Sequence, residues 1–254
     1  MSTFPWHVIH KCGFYVLDFI FPKFCLGCRK WGRYVCGECL DKIQPLPYLK
    51  CPVCQHPAIG GMTHPRCRTR FGIDGIFSFF RYDGIVKKAI KDVKYRFVSD
   101  IVEELISHAP TSSFSSLTKL LSSKPLSFLI VPIPLHWSRA NFRGFNQSEV
   151  LALKLAKRLN IPVRRDILMR KQRTKPQVEM KNRKDRFKNM EEVFQINRNS
   201  EAMKQPASTQ RGECSNSAII LVDDVSTTGA TLRSAASILK RAGATYVFGV
   251  TIAQ

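Results

Sequence analysis

The sequence predicts an α/β protein, in which helices cover a parallel sheet and a small metal-binding domain comes first. Two observations indicate this fold class. From residue 73 onward, apolar runs of strand length alternate with amphipathic helical patterns, as they do in sheets built from strand–helix–strand units. Residues 25–72 instead combine repeated cysteine pairs with scattered Gly and Pro, which is typical of a domain that metal holds together.

The first strand and helix of the sheet are expected within residues 75–95, GIFSFFRYDGIVKKAIKDVKY. A turn falls at Asp83 and Gly84, and an apolar helical face follows it. The serine-rich residues 107–127 predict a weak helix or a linker. Residues 128–134, FLIVPIP, have the length and composition of a buried strand.

The alternation continues in the second half of the chain. Residues 147–160 repeat apolar side chains at helical spacing and end at Asn160, just before Pro162. Residues 162–169 are a candidate second strand. The remaining elements are a third strand in AIILVDD (218–224), a helix in ATLRSAASILKRAG (230–243) and a last strand in TYVFGVTIA (245–253).

These patterns divide the chain into three parts. Residues 1–24 form an amphipathic lead-in, residues 25–72 the metal-binding domain and residues 73–254 the α/β domain, in which the polar residues 197–217 are expected to be a mobile insertion. No apolar run is long enough to span a bilayer, and no secretory signal is evident. A cytoplasmic protein with reduced cysteines is therefore expected.

Cysteine doublets recur at one spacing in the metal-binding domain. A Cys-x-x-Cys turn brings two sulfurs to one tetrahedral ion, and two such turns complete a closed structural zinc site. The predicted ligands are Cys25, Cys28, Cys36, Cys39, Cys51, Cys54, His64 and Cys67. Sequential pairing would give 25/28/36/39 and 51/54/64/67, whereas interleaved pairing would give 25/28/51/54 and 36/39/64/67. The order along the chain leaves both open, and His56 competes with His64.

The stretch IILVDDVSTTGATL (219–232) places two acids at the end of an apolar strand. Open α/β sheets bind ligands at the carboxyl ends of their strands. There, a glycine-bearing turn and a helix start together bind phosphate. The carboxylates of Asp223 and Asp224 can accept hydrogen bonds from neighbouring hydroxyls of a sugar. A phosphate cradle beside two sugar acceptors predicts a ribose 5-phosphate group as ligand.

Residues 219–231 resemble the signature of type I phosphoribosyltransferases almost position by position. The resemblance implies the parallel sheet of that family, and it implies that Asp223 and Asp224 contact the ribose hydroxyls of phosphoribosyl pyrophosphate. The residues implied to hold the 5-phosphate are Ser226, Thr227, Thr228, Gly229, Ala230 and Thr231. Mg²⁺ is expected on the pyrophosphate, and the metal-binding domain is expected to be a small zinc-ribbon or knuckle domain.

Further stretches of the sequence resemble one family in particular. VPIPLHWSRANFRGFNQSEVLALKLAKRLNIPV (131–163) lies where phosphoribosyltransferases place a pyrophosphate loop, and TKPQVEMKNRKDRFKNMEEVF (174–194) lies where they place a flexible hood. With the cysteine doublets and FRYDGIVKKAIKDVKYR (80–96), these stretches closely resemble ComF proteins, which are associated with DNA uptake in bacterial competence. RGFNQ (143–147) and VDDVSTTGATL are the most specific parts. One departure is His64, where that family usually has a cysteine.

The charge of the chain predicts a polyanionic partner. Lys and Arg number 40 against 19 acids, for a net charge of +21. Basic groups follow a phosphate backbone and aromatic rings stack on unpaired bases, so the basic residues 164–188 and the aromatics near Arg143 favour single-stranded DNA. The residues expected at pyrophosphate or DNA are Arg139, Arg143, Lys181, Arg183 and Arg186. The alternative is a solvated face that also supplies pyrophosphate ligands.

Two functions fit these features. In the favoured one, the protein binds phosphoribosyl pyrophosphate and single-stranded DNA and supports DNA uptake. The ComF resemblance then implies partners such as a helicase-like ATPase and the inner-membrane channel, and a location in the cytoplasm or peripheral to the inner membrane. In the alternative, the protein is an active phosphoribosyltransferase with an unidentified base or amine acceptor. Such a transfer relies on positioning and charge stabilisation, so it needs no obligatory general base.

Overall fold

The structure of the protein is a computed structural model that describes residues 22–44, 46–96, 100–109, 111–123, 126–135, 145–170, 193–197 and 217–254. The strands are β1 Gly75–Phe80, β2 Ser127–Pro132, β3 Leu168–Arg170, β4 Phe194–Ile196, β5 Ser217–Val225 and β6 Tyr246–Ala253. The α-helices are α1 Gly37–Leu40, α2 Gly84–Arg96, α3 Asp100–Ser107, α4 Thr111–Ser122, α5 Gln147–Leu159 and α6 Ala230–Arg241. Single 3₁₀ turns occupy Ile59–Gly61 and Pro65–Cys67.

Four parallel strands form the central sheet in the order β1-β6-β5-β2. Strand β5 lies inside this sheet, with Val222 opposite Pro132 of β2 and Val250 of β6. Its residues 217–222 are all buried, because elements cover both faces of the sheet. Strands β3 and β4 form a separate antiparallel pair.

The two faces of the sheet bury different sets of residues. Helices α2 to α5 pack on one face, where the core includes Ile130, Ile220 and Phe248. Helix α6 and the β3–β4 pair pack on the other face, whose core includes Leu221 and Phe194. Neighbouring residues of β5 therefore face opposite cores, as the pleat of a strand requires. The arrangement leaves the carboxyl end of β5 at the edge where α6 begins.

Most of the predicted elements agree with the structure. The α/β fold class is confirmed, and the serine-rich segment contains a true helix, α4. The prediction of a second strand over residues 162–169 is wrong. Val163 alone joins the parallel sheet there, through a single bridge to Ile130, whereas Leu168 and Met169 belong to β3, which pairs antiparallel with β4. Arg164, Arg165 and Asp166 explain the difference, because a strand covered on both faces does not accommodate consecutive charges.

Several predicted segments lie outside the described residues. They are residues 1–21 of the lead-in, residues 198–216 of the expected insertion, residues 136–144 of the expected pyrophosphate loop and residues 174–192 of the expected hood. Within the described part of the chain, no helix combines the length and apolarity that crossing a membrane requires.

Candidate zinc centres and sugar-phosphate site

The first cysteine cluster lies in residues 22–43, here called the first ribbon. The Sγ atoms of Cys25, Cys28, Cys36 and Cys39 all lie within 4.8 Å of one another. The Cys28 and Cys36 sulfurs are 3.5 Å apart, and the backbone N–H of Cys36 points to the Cys25 sulfur at 3.4 Å. Four thiols gathered this closely fit the tetrahedral coordination of zinc, whose bonds to sulfur are about 2.3 Å long.

The second cluster lies in residues 49–68, here called the second ribbon. The ligand atoms of Cys51, Cys54, His64 and Cys67 lie within 4.8 Å of one another. His64 Nδ1 is 3.3 Å from the Cys54 sulfur, and its Nε2 is 3.0 Å from the Pro57 carbonyl oxygen. Because a carbonyl only accepts, the proton belongs on Nε2, and Nδ1 keeps its lone pair for a metal.

The structure groups the eight predicted ligands in sequential order. Residues 25, 28, 36 and 39 form one group, and residues 51, 54, 64 and 67 form the other. His64, rather than the exposed His56, joins the second group. A closed set of four ligands leaves no open position for a substrate, so each centre suits a structural role.

The environment lowers the pKa of one buried thiol in each cluster and raises the pKa of Cys39. Burial raises the pKa of the Cys25 thiol, but backbone N–H donors, among them those of Cys28 and Cys36, outweigh it and lower the pKa to about 6. For Cys51, burial is likewise outweighed by backbone N–H donors, among them those of Cys54 and His64, and the pKa is lowered to about 7. Burial and neighbouring thiols instead raise the pKa of Cys39 to about 12. Thiolates are the form that binds zinc.

The first ribbon is attached to the helical face of the sheet. The backbone N–H groups of Val35 and Tyr34 donate to the Glu104 carboxylate of α3 at 2.8 and 3.4 Å. Ile85 of α2 packs against the apolar residues around the cluster. A carboxylate that accepts two backbone N–H groups fixes the position of this ribbon on the helices.

The loop after β5, here called the phosphate loop, consists of residues 226–229. The Ser226 N–H donates to the Ala253 carbonyl oxygen at 3.0 Å, which ties the loop to the end of β6. Ser226 Oγ is buried and has no hydrogen-bond partner among the described residues. Gly229 has a left-handed φ of 69° and caps the start of α6. A buried hydroxyl without a partner at a helix N-terminus fits a site for a phosphate group.

The two acids sit at the end of β5 and are half-buried. Asp223 Oδ1 accepts hydrogen bonds from Ser148 Oγ at 3.0 Å and from the Asp224 N–H at 2.9 Å. Ser148 belongs to the first turn of α5, and Asn146 caps that helix by accepting from the Ser148 N–H. Helix α5 therefore holds one oxygen of Asp223 in place.

Sequence reasoning missed two residues near the site. Ser148 follows directly after the RGFNQ motif, so its position beside that motif was the available signal. Gln55 belongs to no recognised motif, yet its side-chain amide donates to the Thr228 carbonyl oxygen of the phosphate loop at 3.3 Å. Both residues reach the site from segments distant in sequence.

The predicted basic contacts cannot be placed in the same way. Arg139, Arg143, Lys181, Arg183 and Arg186 all lie outside the described residues. At the start of the basic stretch, Arg164 pairs with Asp166 at 3.0 Å and Arg165 pairs with Glu149 at 2.9 Å. These two arginines therefore contribute to local structure.

Comparison with known proteins identifies the family. A model of the phosphoribosyl transferase domain matches residues 146–253, and a model of the double zinc ribbon domain matches residues 16–68. The chain is 31% identical over 229 residues to competence protein ComFC of Bacillus subtilis (strain 168), which covers 82% of this chain and 79% of that protein. The chain belongs to the ComF family.

A second relative matches a shorter part of the chain. Competence protein F of Haemophilus influenzae (strain ATCC 51907 / DSM 11121 / KW20 / Rd) is 32% identical over 114 residues, which cover 45% of this chain and 44% of that protein. The ComF resemblance predicted from the motifs is thus confirmed, and the double zinc ribbon supports structural zinc in this ComF chain.

Proposed function

We propose that this ComF-family protein binds phosphoribosyl pyrophosphate at the carboxyl end of β5 and supports DNA uptake in natural transformation. One observation supports the ligand assignment above all. Asp223 and Asp224 directly precede the phosphate loop, and in that loop Ser226 Oγ is buried without a hydrogen-bond partner among the described residues. The names of the two relatives, both competence proteins, support the role in uptake.

Each part of the ligand has a chemical counterpart in the proposed site. The ribose hydroxyls donate to the carboxylates of Asp223 and Asp224 at the end of β5. Backbone N–H groups of residues 226–231 and the positive end of α6 stabilise the 5-phosphate. The pyrophosphate would bind together with Mg²⁺, which would neutralise part of its charge. The site requires no covalent chemistry to bind this molecule.

Calorimetry on the full chain tests the ligand assignment. With Mg²⁺ present, we expect phosphoribosyl pyrophosphate to bind, and Asp224→Asn to weaken binding about tenfold or more, because a hydrogen bond to a charged group is lost. Asp224 is preferable to Asp223, whose carboxylate also holds α5. The control is Asp83→Asn, which removes an exposed acid paired with Arg81. A full chain that shows no binding would refute the assignment.

Single-stranded DNA is the second proposed ligand. The net charge of +21 supports it, and we retain Arg139, Arg143, Lys181, Arg183 and Arg186 as proposed contacts. Among the described residues, the first ribbon adds a suitable surface, because Trp31 is 71% exposed beside the exposed basic residues Arg29, Lys30 and Arg33. Basic groups around an exposed aromatic ring are the chemistry that binds unpaired bases.

Fluorescence anisotropy with a labelled oligonucleotide tests DNA binding. We expect affinity to fall steeply with salt, because phosphate contacts release counterions. Trp31→Ala should weaken binding about fivefold or more, the contribution of one stacked base. Ile59→Ala is the control, since it removes a large side chain that is 96% exposed but cannot stack. An affinity that does not change with salt would contradict the proposal.

A transferase is the second candidate, and the match of residues 146–253 to a phosphoribosyl transferase domain favours it. Release of pyrophosphate from phosphoribosyl pyrophosphate in the presence of candidate bases or amines would support it. Binding without any release would favour the uptake role. For that role we propose a cytoplasmic site of action, which suits reduced cysteines, peripheral to the inner membrane and in contact with a helicase-like ATPase and the membrane channel.

A further inference from the structure

The second ribbon touches the phosphate loop through one turn, residues 51–55. Gln55 Nε2 donates to the Thr228 carbonyl oxygen at 3.3 Å. At the next residue, a Cβ added to Gly229 would lie 3.7 Å from the Pro52 carbonyl oxygen, which is ordinary van der Waals distance. The turn that carries two cysteines of the second cluster therefore packs directly against the loop.

The same turn sets the orientation of Gln55. Its backbone N–H donates to the Cys51 carbonyl oxygen at 3.0 Å, and its φ of 63° is left-handed. The side-chain amide also donates to the Pro52 carbonyl oxygen at 3.2 Å. Pro52 and Thr228 both offer carbonyl oxygens, which only accept, so the NH₂ group of Gln55 must face the loop.

The contact fixes the direction of one peptide unit in the phosphate loop. In a planar trans peptide, the carbonyl and the following N–H point in opposite directions. Because the Thr228 carbonyl points to Gln55, the Gly229 N–H points away from the second ribbon. Glycine adopts positive and negative φ with similar ease, so this peptide unit could otherwise turn over at little cost.

We infer that Gln55 is a positioning residue for the sugar-phosphate site, which holds the Gly229 N–H ready to donate to a 5-phosphate and so couples the second cysteine cluster to ligand binding. The inference rests on the proposed function, in which the phosphate loop holds that group. A donor that is oriented before the ligand arrives needs no rearrangement on binding, and this raises affinity.

The test compares two Gln→Asn variants of the full, zinc-loaded chain. Gln55→Asn shortens the side chain by one methylene, so its amide no longer spans the distance to Thr228. Asn also tolerates left-handed φ well, which preserves the turn. Gln195→Asn is the matched control, because it makes the same change at an exposed position of β4. Calorimetry measures the binding of ribose 5-phosphate, and elemental analysis measures zinc.

We expect Gln55→Asn to weaken ribose 5-phosphate binding about threefold to tenfold, the contribution of one hydrogen bond. The zinc content of Gln55→Asn should equal that of the unmodified chain, and the amide resonance of Gly229 should shift in the ligand-free protein. Gln195→Asn should change neither the affinity for ribose 5-phosphate nor the Gly229 resonance.

Equal affinity of Gln55→Asn and the unmodified chain would overturn the inference. Loss of zinc from Gln55→Asn would also overturn it, because Gln55 would then serve the metal centre. Failure of the unmodified chain to bind ribose 5-phosphate or phosphoribosyl pyrophosphate would overturn the proposed function itself. The two failures are distinguished because this one affects the unmodified chain, whereas the inference concerns only the difference between that chain and Gln55→Asn.

Discussion

The two ribbons contain similar clusters but contact different parts of the sheet domain. The first is held by the Glu104 carboxylate of α3 and by Ile85 of α2, on the helical face. The second lies beside the start of β1, where Met62 forms a bridge with Gly75 and Thr63 donates to the carbonyl oxygen of Ile73, just before the strand, at 2.6 Å. It also contacts the phosphate loop through Gln55. We therefore expect the effect of each ribbon on sugar-phosphate binding to depend on the residues that flank its cysteine cluster. The zinc-binding side chains themselves should matter less.

The clusters also differ in charge. With zinc bound, four thiolates leave the first cluster with two negative charges, whereas three thiolates and the neutral His64 leave the second with one. The second cluster is the one whose turn touches the proposed phosphate site. The smaller negative charge there suits an anionic ligand, because like charges repel more strongly as they approach.

Removing one ligand from each cluster gives the largest contrast. Cys54→Ala and Cys28→Ala are matched, since each removes the second cysteine of a Cys-x-x-Cys turn. We expect each variant to lose about one zinc ion, because an incomplete set of ligands binds zinc weakly. Cys54→Ala should also weaken phosphoribosyl pyrophosphate binding about fivefold or more, in the range of typical coupling between sites, and Cys28→Ala should not.

Elemental analysis and calorimetry on the same samples measure both effects. A similar loss of ligand affinity in the two variants would contradict the difference between the ribbons, because it would mean that general destabilisation is responsible.

The attachment of the first ribbon gives the next largest effect. Glu104→Ala should lower the free energy of unfolding by about 1.5–3 kcal/mol, because two backbone N–H groups lose a charged acceptor. Glu103→Ala is the matched control, since it breaks an exposed ion pair with Lys154 and should cost at most about 1 kcal/mol. Urea denaturation measures both, and equal effects would show that the Glu104 contacts are unimportant.

A smaller effect is expected from the close packing inside the first ribbon. A Cβ at Gly27 would lie 2.6 Å from the Cys39 sulfur and 2.9 Å from Ile85 Cδ1, whereas one at Gly37 would meet nothing within 4 Å. Gly27→Ala should therefore destabilise the protein by about 1–2 kcal/mol through overpacking, and Gly37→Ala should have little effect. Thermal denaturation of the two variants measures this difference in stability. The affinity for phosphoribosyl pyrophosphate should be unchanged in both.

Local patterns in the sequence predicted most of the fold. The alternation of strands and helices, the cysteine doublets and the acids before the phosphate loop are all defined by neighbouring residues. The contacts between these parts could not be predicted in that way. Gln55 meets Thr228 across 173 positions and Ser148 meets Asp223 across 75, and such pairs are set by tertiary packing.

Tertiary packing also decides which cysteine doublets share a zinc site, so the sequence alone left both pairings open. Identical spacing makes every doublet an equally good partner, so only the path of the chain between them decides which sulfurs meet. The error at residues 162–169 arose because apolar Val163 and Ile167 suggested a buried strand, while the three charges between them exclude a strand that is covered on both faces.

The smallest predicted effect concerns the charge of the second cluster. His64→Cys would restore four thiolates, so we expect the zinc content to be unchanged and the hydrogen bond to Pro57 to be lost. The added negative charge should weaken phosphoribosyl pyrophosphate binding about twofold at low ionic strength, and salt should abolish the difference. Calorimetry at two salt concentrations measures this. A weakening that persists at high salt would instead indicate that the imidazole ring positions the turn that carries Gln55, since packing contacts are not screened.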